Sequence, residues 1–424
     1  MRRFSMIALS FFLWALASSG GPSIAEEMKA QMAQSFVDSI GIVTHIPSFD
    51  SPYGQYAEIV KPRLMELGVH HIRDGLPLMM AFSEKAIRFD NIAVLRILDL
   101  SKYGVKTTLF WSGQPISVVK AFAKYMAKAL DAVEGPNEPD LPQSNFSYKE
   151  QKGIEGAKVF QKDLYEAMKG EEGLRVFPVL SFSLGSVNIE GQGVGNIEEW
   201  CDYCNIHVYP PAGEPPGSSI EASIRRIRAV APNKPIICTE AGYTTVGENG
   251  ISENAHARYI LRLLLEGWRT GIQRTFIYEL VDGYPKELPR SGFGLIRFDG
   301  TPRPAFYALK NMIDILKDPG QDFQTGTLDI SMEGGAETVH HILLQKRDGT
   351  FYLVLWNEVK SFDPVKKKDI SVKEGKVKLT LNSPISQAAL YLPLKSPSPV
   401  RKIANPKAIS LSVPDHPLIV ELKP

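Results

Sequence analysis

The chain has 424 residues, enough for two or three average domains or for one large barrel with a smaller partner. Apolar residues make up 44% of the sequence and charged residues 22%, which excludes a chain that is disordered throughout or collagen-like. The 48 basic and 47 acidic residues leave a net charge of +1, so we expect no nucleic-acid partner, and three cysteines are too few for a disulfide scaffold.

Residues 1–25 have the features of an export signal. Arg2 and Arg3 precede an apolar run over 6–17, and small residues lead to Ala25 before two glutamates. This order is typical of a secretory signal peptide, and the run is shorter than the roughly 20 residues of a membrane-spanning helix. We expect a secreted or periplasmic protein with no membrane insertion after signal removal; an uncleaved anchor is the alternative, and the oligomeric state is open.

Residues 26–320 alternate short apolar runs with longer amphipathic segments. The strand-like runs cover 39–43, 69–72, 105–110, 130–133, 176–180, 203–208, 235–238 and 274–278. The segments with helical spacing include 117–130, 148–168, 255–268 and 305–316. The runs recur about every 34 residues, close to the roughly 31 of eight strand-helix units, and no Gly-x-Gly-x-x-Gly follows the first run. The pattern predicts an α/β fold, a (β/α)8 TIM barrel rather than an open doubly wound sheet.

Residues 321–424 change character, because helical spacing stops and short strands follow. Asp348-Gly349 lies between two apolar runs, which is a hairpin signal. Further strands are predicted at 376–381, 387–392 and 418–422, so this region reads as a small antiparallel β-sandwich. Packing against the barrel is its expected role, with carbohydrate binding as the alternative. The three lysines at 366–368 are interpreted as a solvated loop.

Two of the predicted barrel strands end in glutamates. The fourth leads into Asn137-Glu138-Pro139 and the seventh into Thr239-Glu240. In a parallel barrel these ends form the concave mouth, and a charge there is costly without a reason. Opposed carboxylates suit glycosidic bond cleavage: one protonates the leaving oxygen, and the other attacks the anomeric carbon or activates water. The alternative is that each glutamate pairs with an arginine at the rim.

Asn137-Glu138-Pro139 and Thr239-Glu240 resemble the corresponding motifs of the clan A glycoside hydrolases. The resemblance covers residues from about 38 to 318, and the added β-sandwich is most similar to family 39 and neighbouring families. It implies a retaining mechanism with Glu138 as acid/base and Glu240 as nucleophile, their carboxyl groups roughly 5–5.5 Å apart. It also implies that Asn137 hydrogen-bonds the sugar 2-hydroxyl.

The resemblance extends to four supporting positions at strand ends. Arg73, after the second strand, would keep Glu240 ionised, because a nearby guanidinium lowers a carboxyl pKa. His207 and Tyr209 form a His-x-Tyr pair: His207 would face the sugar or Glu138, and Tyr209 would donate to Glu240. Trp111, after the third strand, would stack on a sugar face. A satisfied barrel histidine and a packing tryptophan are the alternatives for His207 and Trp111.

The sequence departs from the clan at two positions. Pro136 stands where an aromatic residue is frequent, and Tyr278-Glu279 ends strand eight where a tryptophan floor is usual. Glu279 is therefore expected to bind a hydroxyl or a cationic sugar, or else to pair with a rim arginine. Glu134, four residues before Glu138, is interpreted as a structural carboxylate that points elsewhere.

The remaining metal-type residues predict neither a metal nor a cofactor. Cys201 and Cys204 form a Cys-x-x-Cys without the second pair that a zinc site needs. Cys238 shares the strand parity of Glu240, so alternation points it toward the barrel interior. Buried free thiols are expected, with one disulfide as the alternative.

These observations together predict an exported retaining hydrolase of β-glycosidic bonds in an oligo- or polysaccharide. The loops at 210–217 and 246–251 would shape its cleft. Two alternatives stay open: a non-catalytic glycan-binding barrel of an exopolysaccharide or envelope assembly, and a transglycosidase with the same residues.

Overall fold

The computed structural model describes residues 24–75, 89–111, 114–185, 193–288 and 290–424. Most of the predicted signal peptide lies outside these residues. Among the described residues, no helix is long and apolar enough to cross a membrane.

The elements before residue 320 alternate as predicted. Their strands are β1 (Ile24–Lys29), β2 (Gln31–Met32), β3 (Ile40–Val43), β4 (His71–Gly75), β5 (Lys106–Phe110), β6 (Leu130–Glu134), β7 (Ser147–Tyr148), β8 (Gln151–Lys152), β9 (Val179–Leu180), β10 (Cys204–Val208), β11 (Ile236–Ala241) and β12 (Ile272–Ile277). Their helices are α1 (Ala33–Asp38), α2 (Lys61–Leu67), α3 (Ile92–Ser101), α4 (Ile116–Tyr125), α5 (Gly153–Lys169), α6 (Pro216–Arg228), α7 (Glu253–Arg269) and α8 (Pro304–Leu316).

Local sequence explains where several helices begin and end. The Ser252 hydroxyl caps α7 by accepting from the amide of Ala255 at 3.0 Å, and Asn91 caps α3 in the same way. Helix α2 ends at Gly68, whose φ of 77° lies in the left-handed region that favours glycine. These ends position the helices around the sheet.

Eight parallel strands form the barrel, which confirms the predicted (β/α)8 fold. They pair in the order β3, β4, β5, β6, β9 and then β10, β11, β12, with β12 returning to β3. A parallel bridge between Leu180 and Tyr203 joins β9 to the residues just before β10, so the ring closes. Val43, Ala132, Leu180, Ile237 and Phe276 fill the barrel interior, and a much larger apolar cluster lies between the strands and the helices.

A register shift between β10 and β11 changes which side chains enter the barrel. Ile206 pairs with Cys238 but His207 pairs with Glu240, so Thr239 is an extra residue in β11. Such a bulge interrupts the alternation of side chains. Cys238 therefore packs in the cluster outside the barrel, and the expectation from alternation that it faces the interior is wrong.

The three cysteines are buried free thiols. No disulfide joins Cys201 to Cys204, and burial raises the pKa of the Cys204 thiol to about 11. The structure thus has the buried thiols that were expected and not the alternative of a disulfide.

The C-terminal region consists of short strands. They are β13 (Thr327–Gly334), β14 (Val339–Gln345), β15 (Phe351–Asn357), β16 (Phe362–Asp363), β17 (Lys368–Asp369), β18 (Gly375–Leu381), β19 (Gln387–Tyr391), β20 (Arg401–Ala404), β21 (Ala408–Val413) and β22 (Leu418–Lys423). One sheet has the order β1-β13-β18-β21 and the other β2-β14-β15-β22-β19-β20, and the two share one apolar core. Strands β16 and β17 form a separate hairpin that carries the lysines at 366–368.

The first described strands belong to this C-terminal sandwich and not to the barrel. Strand β1 pairs antiparallel with β13, and β2 pairs with β14. The sequence analysis placed residues 26–32 in the barrel segment, whereas in the structure they are part of the sandwich. The reason is backbone pairing, because both segments complete the hydrogen bonds of strands that would otherwise be sheet edges.

The sandwich packs against the barrel through one face of its larger sheet. Along β15, Phe351, Leu353 and Leu355 enter the sandwich core, whereas Tyr352, Val354 and Trp356 join the barrel cluster. Polar contacts follow the same interface: the Trp356 indole donates to Glu266 of α7 at 2.7 Å, and Arg262 donates to Glu358 at 2.7 Å. The sandwich is therefore a packed partner of helix α7.

Candidate active site

Glu138 and Glu240 converge at the carboxyl ends of the barrel strands. One oxygen of each carboxyl group and a ring nitrogen of His207 all lie within 4.8 Å of one another. Glu240 is the second-last residue of β11, and Glu138 follows β6 in a turn where its φ is 45°. The two predicted carboxylates therefore face each other across a short gap.

Glu240 is held at both oxygens by donors. The guanidinium of Arg73 donates to Oε1 at 2.5 Å, and the hydroxyl of Tyr209 donates to Oε2 at 2.5 Å. Burial alone would raise the pKa of Glu240, but the charges of His207 and Arg73 and these hydrogen bonds lower that pKa to about 2. Glu240 is consequently a buried, ionised carboxylate.

Glu138 is more exposed than Glu240, with side-chain exposures of 21% and 10%. Its Oε1 lies 2.8 Å from Nδ1 of His207, and its amide donates to the Ser183 hydroxyl at 3.1 Å. Space for the carboxyl group depends on Gly185, since a Cβ there would lie 2.9 Å from Cδ of Glu138. The carboxyl group is thus oriented by His207 while keeping access to solvent.

Arg73 connects Glu240 to a third carboxylate. Its Nε and Nη2 donate to the two oxygens of Glu134 at 2.8 and 2.7 Å, and Nη2 also donates to Oδ1 of Asn137 at 2.7 Å. Glu134 is fully buried. The expectation that Glu134 points elsewhere is wrong, because residues 132–134 pair in regular register with β5 and the inward parity of Ala132 also applies to Glu134.

His207 contacts both the site and the residues beneath it. Nδ1 faces Glu138 at 2.8 Å and Glu240 at 3.7 Å, while Nε2 lies 3.1 Å from the hydroxyl of Thr239. Burial lowers the pKa of His207, but the negative charge of Glu240 and the hydrogen bond with Glu138 outweigh it and raise that pKa overall. His207 is therefore part of the site rather than a packing residue.

Glu279 is buried just after strand β12, and no arginine among the described residues forms an ion pair with it. It accepts from the Tyr53 hydroxyl and the Gly283 amide, each at 3.3 Å, and Nε2 of His45 lies 3.3 Å away. Burial, with the nearby Asp282 and Glu240, holds the pKa of Glu279 well above its usual range. This carboxyl group therefore favours its neutral form.

Aromatic rings form the wall between Glu240 and Glu279. Tyr278 packs edge-to-face with Tyr209, Phe293 and His45, at centroid distances of 6.1, 5.5 and 5.5 Å. Tyr278 stands where the clan usually has a tryptophan. Tyr278 follows β12 and is half-buried, and the three rings around it come from other segments of the chain.

Trp111 does not present a face for stacking. It is 1% exposed and packs against Phe122 of α4 within the outer apolar cluster. The expected sugar-stacking surface is thus wrong for this residue as it stands in the structure, and the packing alternative applies. Helix α4 follows β5 in the chain, and the ring centroid of its Phe122 lies 6.4 Å from that of Trp111.

Sequence reasoning missed Asn205, Thr239, Tyr53 and His45. Asn205 lies two residues before His207, so strand periodicity alone places both on the inner face of β10. For Thr239, alternation counted from an inward Glu240 gives the wrong face, because a bulge lets Thr239, which shares the inward parity of Ile237, and Glu240 both face the interior. His45 and Tyr53 lie in the loop after β3, where periodicity gives no guidance.

Glu138, His207 and Glu240 are close enough to share a cation. Arg73 already places a guanidinium against Glu240, and Tyr209 occupies its other oxygen. Both oxygens of Glu240 therefore already have hydrogen-bond donors from this chain. The expectation that the site holds no metal stays a prediction.

Comparisons with known proteins find similarity in the fold but not in the sequence. No protein-family profile matches the chain, and no curated protein has a significantly similar sequence. Among solved structures, a family 39 glycoside hydrolase from Bacteroides cellulosilyticus WH2 is 14% identical with a TM-score of 0.62, over 93% of this chain and 82% of that one. A family 39 β-xylosidase from Caulobacter crescentus is 16% identical with a TM-score of 0.62, over 94% and 98% of the two chains. A family 30 endoxylanase from Clostridium papyrosolvens C71 is 12% identical with a TM-score of 0.59, over 94% and 97%. The chain therefore has the barrel-and-sandwich fold of the family 39 and family 30 glycoside hydrolases.

Proposed function

We propose that this protein is a retaining glycoside hydrolase that cleaves β-glycosidic bonds of an oligo- or polysaccharide by double displacement. The observation that carries the proposal is the approach of Glu138 and Glu240 to within 4.8 Å, with an arginine on one and a histidine on the other. Retaining enzymes need a separation of roughly 5–5.5 Å, whereas inverting enzymes leave roughly 6.5–9.5 Å for a water. The short gap supports retention.

Glu240 is the nucleophile in this mechanism. A carboxylate attacks only when ionised, and a pKa of about 2 keeps Glu240 ionised at any ordinary pH. Arg73 and Tyr209 fix both oxygens, so one orientation is maintained without reorganisation. The attack forms a bond from a Glu240 oxygen to the anomeric carbon while the bond to the leaving oxygen breaks.

Glu138 is the acid/base. It gives its proton to the leaving oxygen in the first step and takes a proton from water in the second, when that water displaces Glu240 from the sugar. Its partial exposure suits a group that must meet a leaving group and then a water. The contact with His207 orients it toward the gap.

Asn137 is positioned to bind the sugar 2-hydroxyl. Its Oδ1 already accepts from Arg73, so the amide NH2 is the group left to donate. A contact of this kind strengthens as the ring approaches an oxocarbenium ion. Glu279, favoured in its neutral form, is a second candidate for a sugar hydroxyl, although its 1% exposure requires the sugar to approach closely.

A β-linked glycan is the substrate class of this proposal. The fold neighbours include proteins named as a β-xylosidase and an endoxylanase, and an endo-β1,6-glucanase has a TM-score of 0.57 at 12% identity. The order of residues 1–25 supports export, so the glycan would be met outside the cytoplasm. A transglycosidase would use the same covalent intermediate and differ only in the acceptor.

Trapping of the intermediate tests the proposal. A 2-deoxy-2-fluoro aryl glycoside slows both steps, and a good leaving group lets the first step proceed. Across a panel of such reagents, mass spectrometry of the intact chain and its peptides is expected to find one sugar attached to Glu240. Glu240→Gln is the matched control and is expected to stay unlabelled. Labelling of another carboxylate, or hydrolysis with inverted configuration, would overturn the proposal.

A further inference from the structure

The two ring nitrogens of His207 face different surroundings. Nδ1 points at Oε1 of Glu138, 2.8 Å away, and Nε2 points at the Thr239 hydroxyl, 3.1 Å away. The charged groups that face the ring are Glu138, Glu240 and Arg73. Which nitrogen carries the proton in the neutral ring therefore depends on what Thr239 can accept or donate.

Donors and acceptors in the hydrogen bonds that join Thr239 to Asn205 and Glu134 can be assigned in one consistent way, starting from Glu134. This buried carboxylate accepts from Arg73 at both oxygens, so it offers no hydrogen of its own. The amide of Asn205 must turn its Nδ2 toward Glu134, at 2.9 Å, which leaves its Oδ1 toward Thr239. The backbone amide of Thr239 also donates to this Oδ1, at 3.3 Å, and supports the same orientation.

The hydroxyl of Thr239 has a single hydrogen, and its nearest partners below are acceptors. Oγ1 lies 2.7 Å from Oδ1 of Asn205 and 3.2 Å from Oε1 of Glu134. Its hydrogen goes to one of these oxygens. Only lone pairs then remain for His207, so the 3.1 Å contact is a hydrogen bond only if Nε2 is the donor.

We propose that Thr239 is a positioning residue that fixes the neutral His207 ring in the form protonated at Nε2, so that Nδ1, facing Glu138, is the nitrogen that gains and loses a proton. The tautomer follows from the hydrogen bonds alone, whereas its consequence for Glu138 rests on the proposed function. The chain Glu134, Asn205, Thr239 acts through His207 and does not touch the sugar.

The consequence is that His207 and Glu138 hold one proton between them. When Glu138 is protonated, it donates to the lone pair of Nδ1. When Glu138 is ionised, Nδ1 carries the proton and donates to the carboxylate. The 2.8 Å contact is thus a hydrogen bond whichever of the two groups carries the proton, so the carboxyl group is held in one orientation until the transfer. When Glu138 gives this proton to the leaving oxygen, the pair is left without it, and the water of the second step returns one.

Thr239 shares the inward parity of Ile237 in β11, and the bulge at this point brings Glu240 to the same face. Thr239 is fully buried and inserted between residues that pair regularly with β10, so its hydroxyl reaches Asn205 and His207 on the same strand. Thr239→Val keeps the branched shape and removes the hydroxyl. Thr239→Ser keeps the hydroxyl and is the matched control.

Nitrogen NMR of the full chain, labelled with 15N at histidine, tests the tautomer directly. The His207 signals are identified by their loss in His207→Gln, and the ring is titrated from about pH 5 to pH 10. We expect the neutral ring to be protonated at Nε2 and bare at Nδ1 in the wild type and in Thr239→Ser. In Thr239→Val we expect a substantial population protonated at Nδ1, since the ionised Glu138 then attracts a donor there.

Three results would overturn the proposal: a neutral wild-type ring protonated at Nδ1, a tautomer unchanged in Thr239→Val, or a ring that keeps both protons over the whole range. The wild-type spectrum decides even if Thr239→Val does not fold. For kinetics, we expect Thr239→Val to lower kcat/KM about tenfold on a glycoside with a poor leaving group and little on an activated one, a fraction of the ~10²–10⁴ of general acid catalysis. A wild type inactive on every glycoside would refute the proposed function while leaving the tautomer result intact.

Discussion

The guanidinium of Arg73 lies 2.5 Å from Glu240 and at the same time holds Glu134 through two hydrogen bonds. One buried cation therefore serves two buried carboxylates, and only one of these faces the gap. The guanidinium charge stabilises the ionised form of Glu240, and the hydrogen bonds with Glu134 hold the guanidinium in place.

Replacement of Arg73 by methionine is expected to destabilise the fold. Arg73 is 1% exposed, and its loss leaves two buried carboxylates without their cation, at a cost of about 3–5 kcal/mol. Chemical denaturation measures the loss. Arg63→Met is the matched control, because the Arg63–Glu66 pair is about one third exposed and is worth at most about 1 kcal/mol. Equal losses in the two variants would contradict the role of Arg73.

Glu240→Ala is expected to lower kcat on an activated aryl glycoside by at least about a thousandfold, because the variant lacks the attacking oxygen. Azide fits the vacated space and should restore part of the rate, giving a glycosyl azide of inverted configuration. Product configuration by NMR is the measurement. A variant with the wild-type rate, or one that azide leaves unchanged, would refute Glu240 as the nucleophile.

Glu138→Ala should discriminate between leaving groups. Removal of a general acid costs about 10²–10⁴-fold where the leaving oxygen needs a proton, and much less where the leaving group is already a stable anion. The measurement is kcat/KM for a series of aryl glycosides and for an oligosaccharide, whose leaving group is a sugar hydroxyl. A uniform loss across the series would remove Glu138 from the acid role.

Glu279 should make stability fall as pH rises. Its pKa in the folded chain is raised above the ordinary 4.5, so the unfolded chain releases this proton at lower pH than the folded chain does. The free energy of unfolding therefore falls as the pH rises above 4.5. Glu279→Gln is neutral at every pH and should show a flatter profile above about pH 5. Denaturation midpoints from acid to neutral pH check the sign. A steeper decline in the variant would show that Glu279 is ionised in the folded chain.

Periodicity carried most of the fold prediction. Eight apolar runs matched the eight barrel strands within a few residues, as with 203–208 against Cys204–Val208. The strands of a parallel barrel are buried on both faces, so each one appears in the sequence as a continuous apolar run. The helix at 255–268 was located equally well, at Glu253–Arg269, because one apolar face repeats along it.

Residues beyond the motifs were harder to locate because their positions depend on register and loops. Glu134 was expected to point elsewhere and Trp111 to stack on a sugar face, although the strands that end at or just before them were correctly identified. Residues 26–32 were assigned to the barrel, although they pair with the sandwich. A single segment carries no information about its pairing partner when that partner lies some 300 residues away.

The sequence by itself determined the alternation of strands and helices and the two glutamates at strand ends, since each of these is written in local spacing. Only the tertiary structure decided that Glu138 and Glu240 meet across a short gap, that a bulge brings Glu240 to the same face as Thr239, and that Arg73 lies between two carboxylates. These relationships join strands far apart in the chain, and closure of the barrel is the physical event that brings them together.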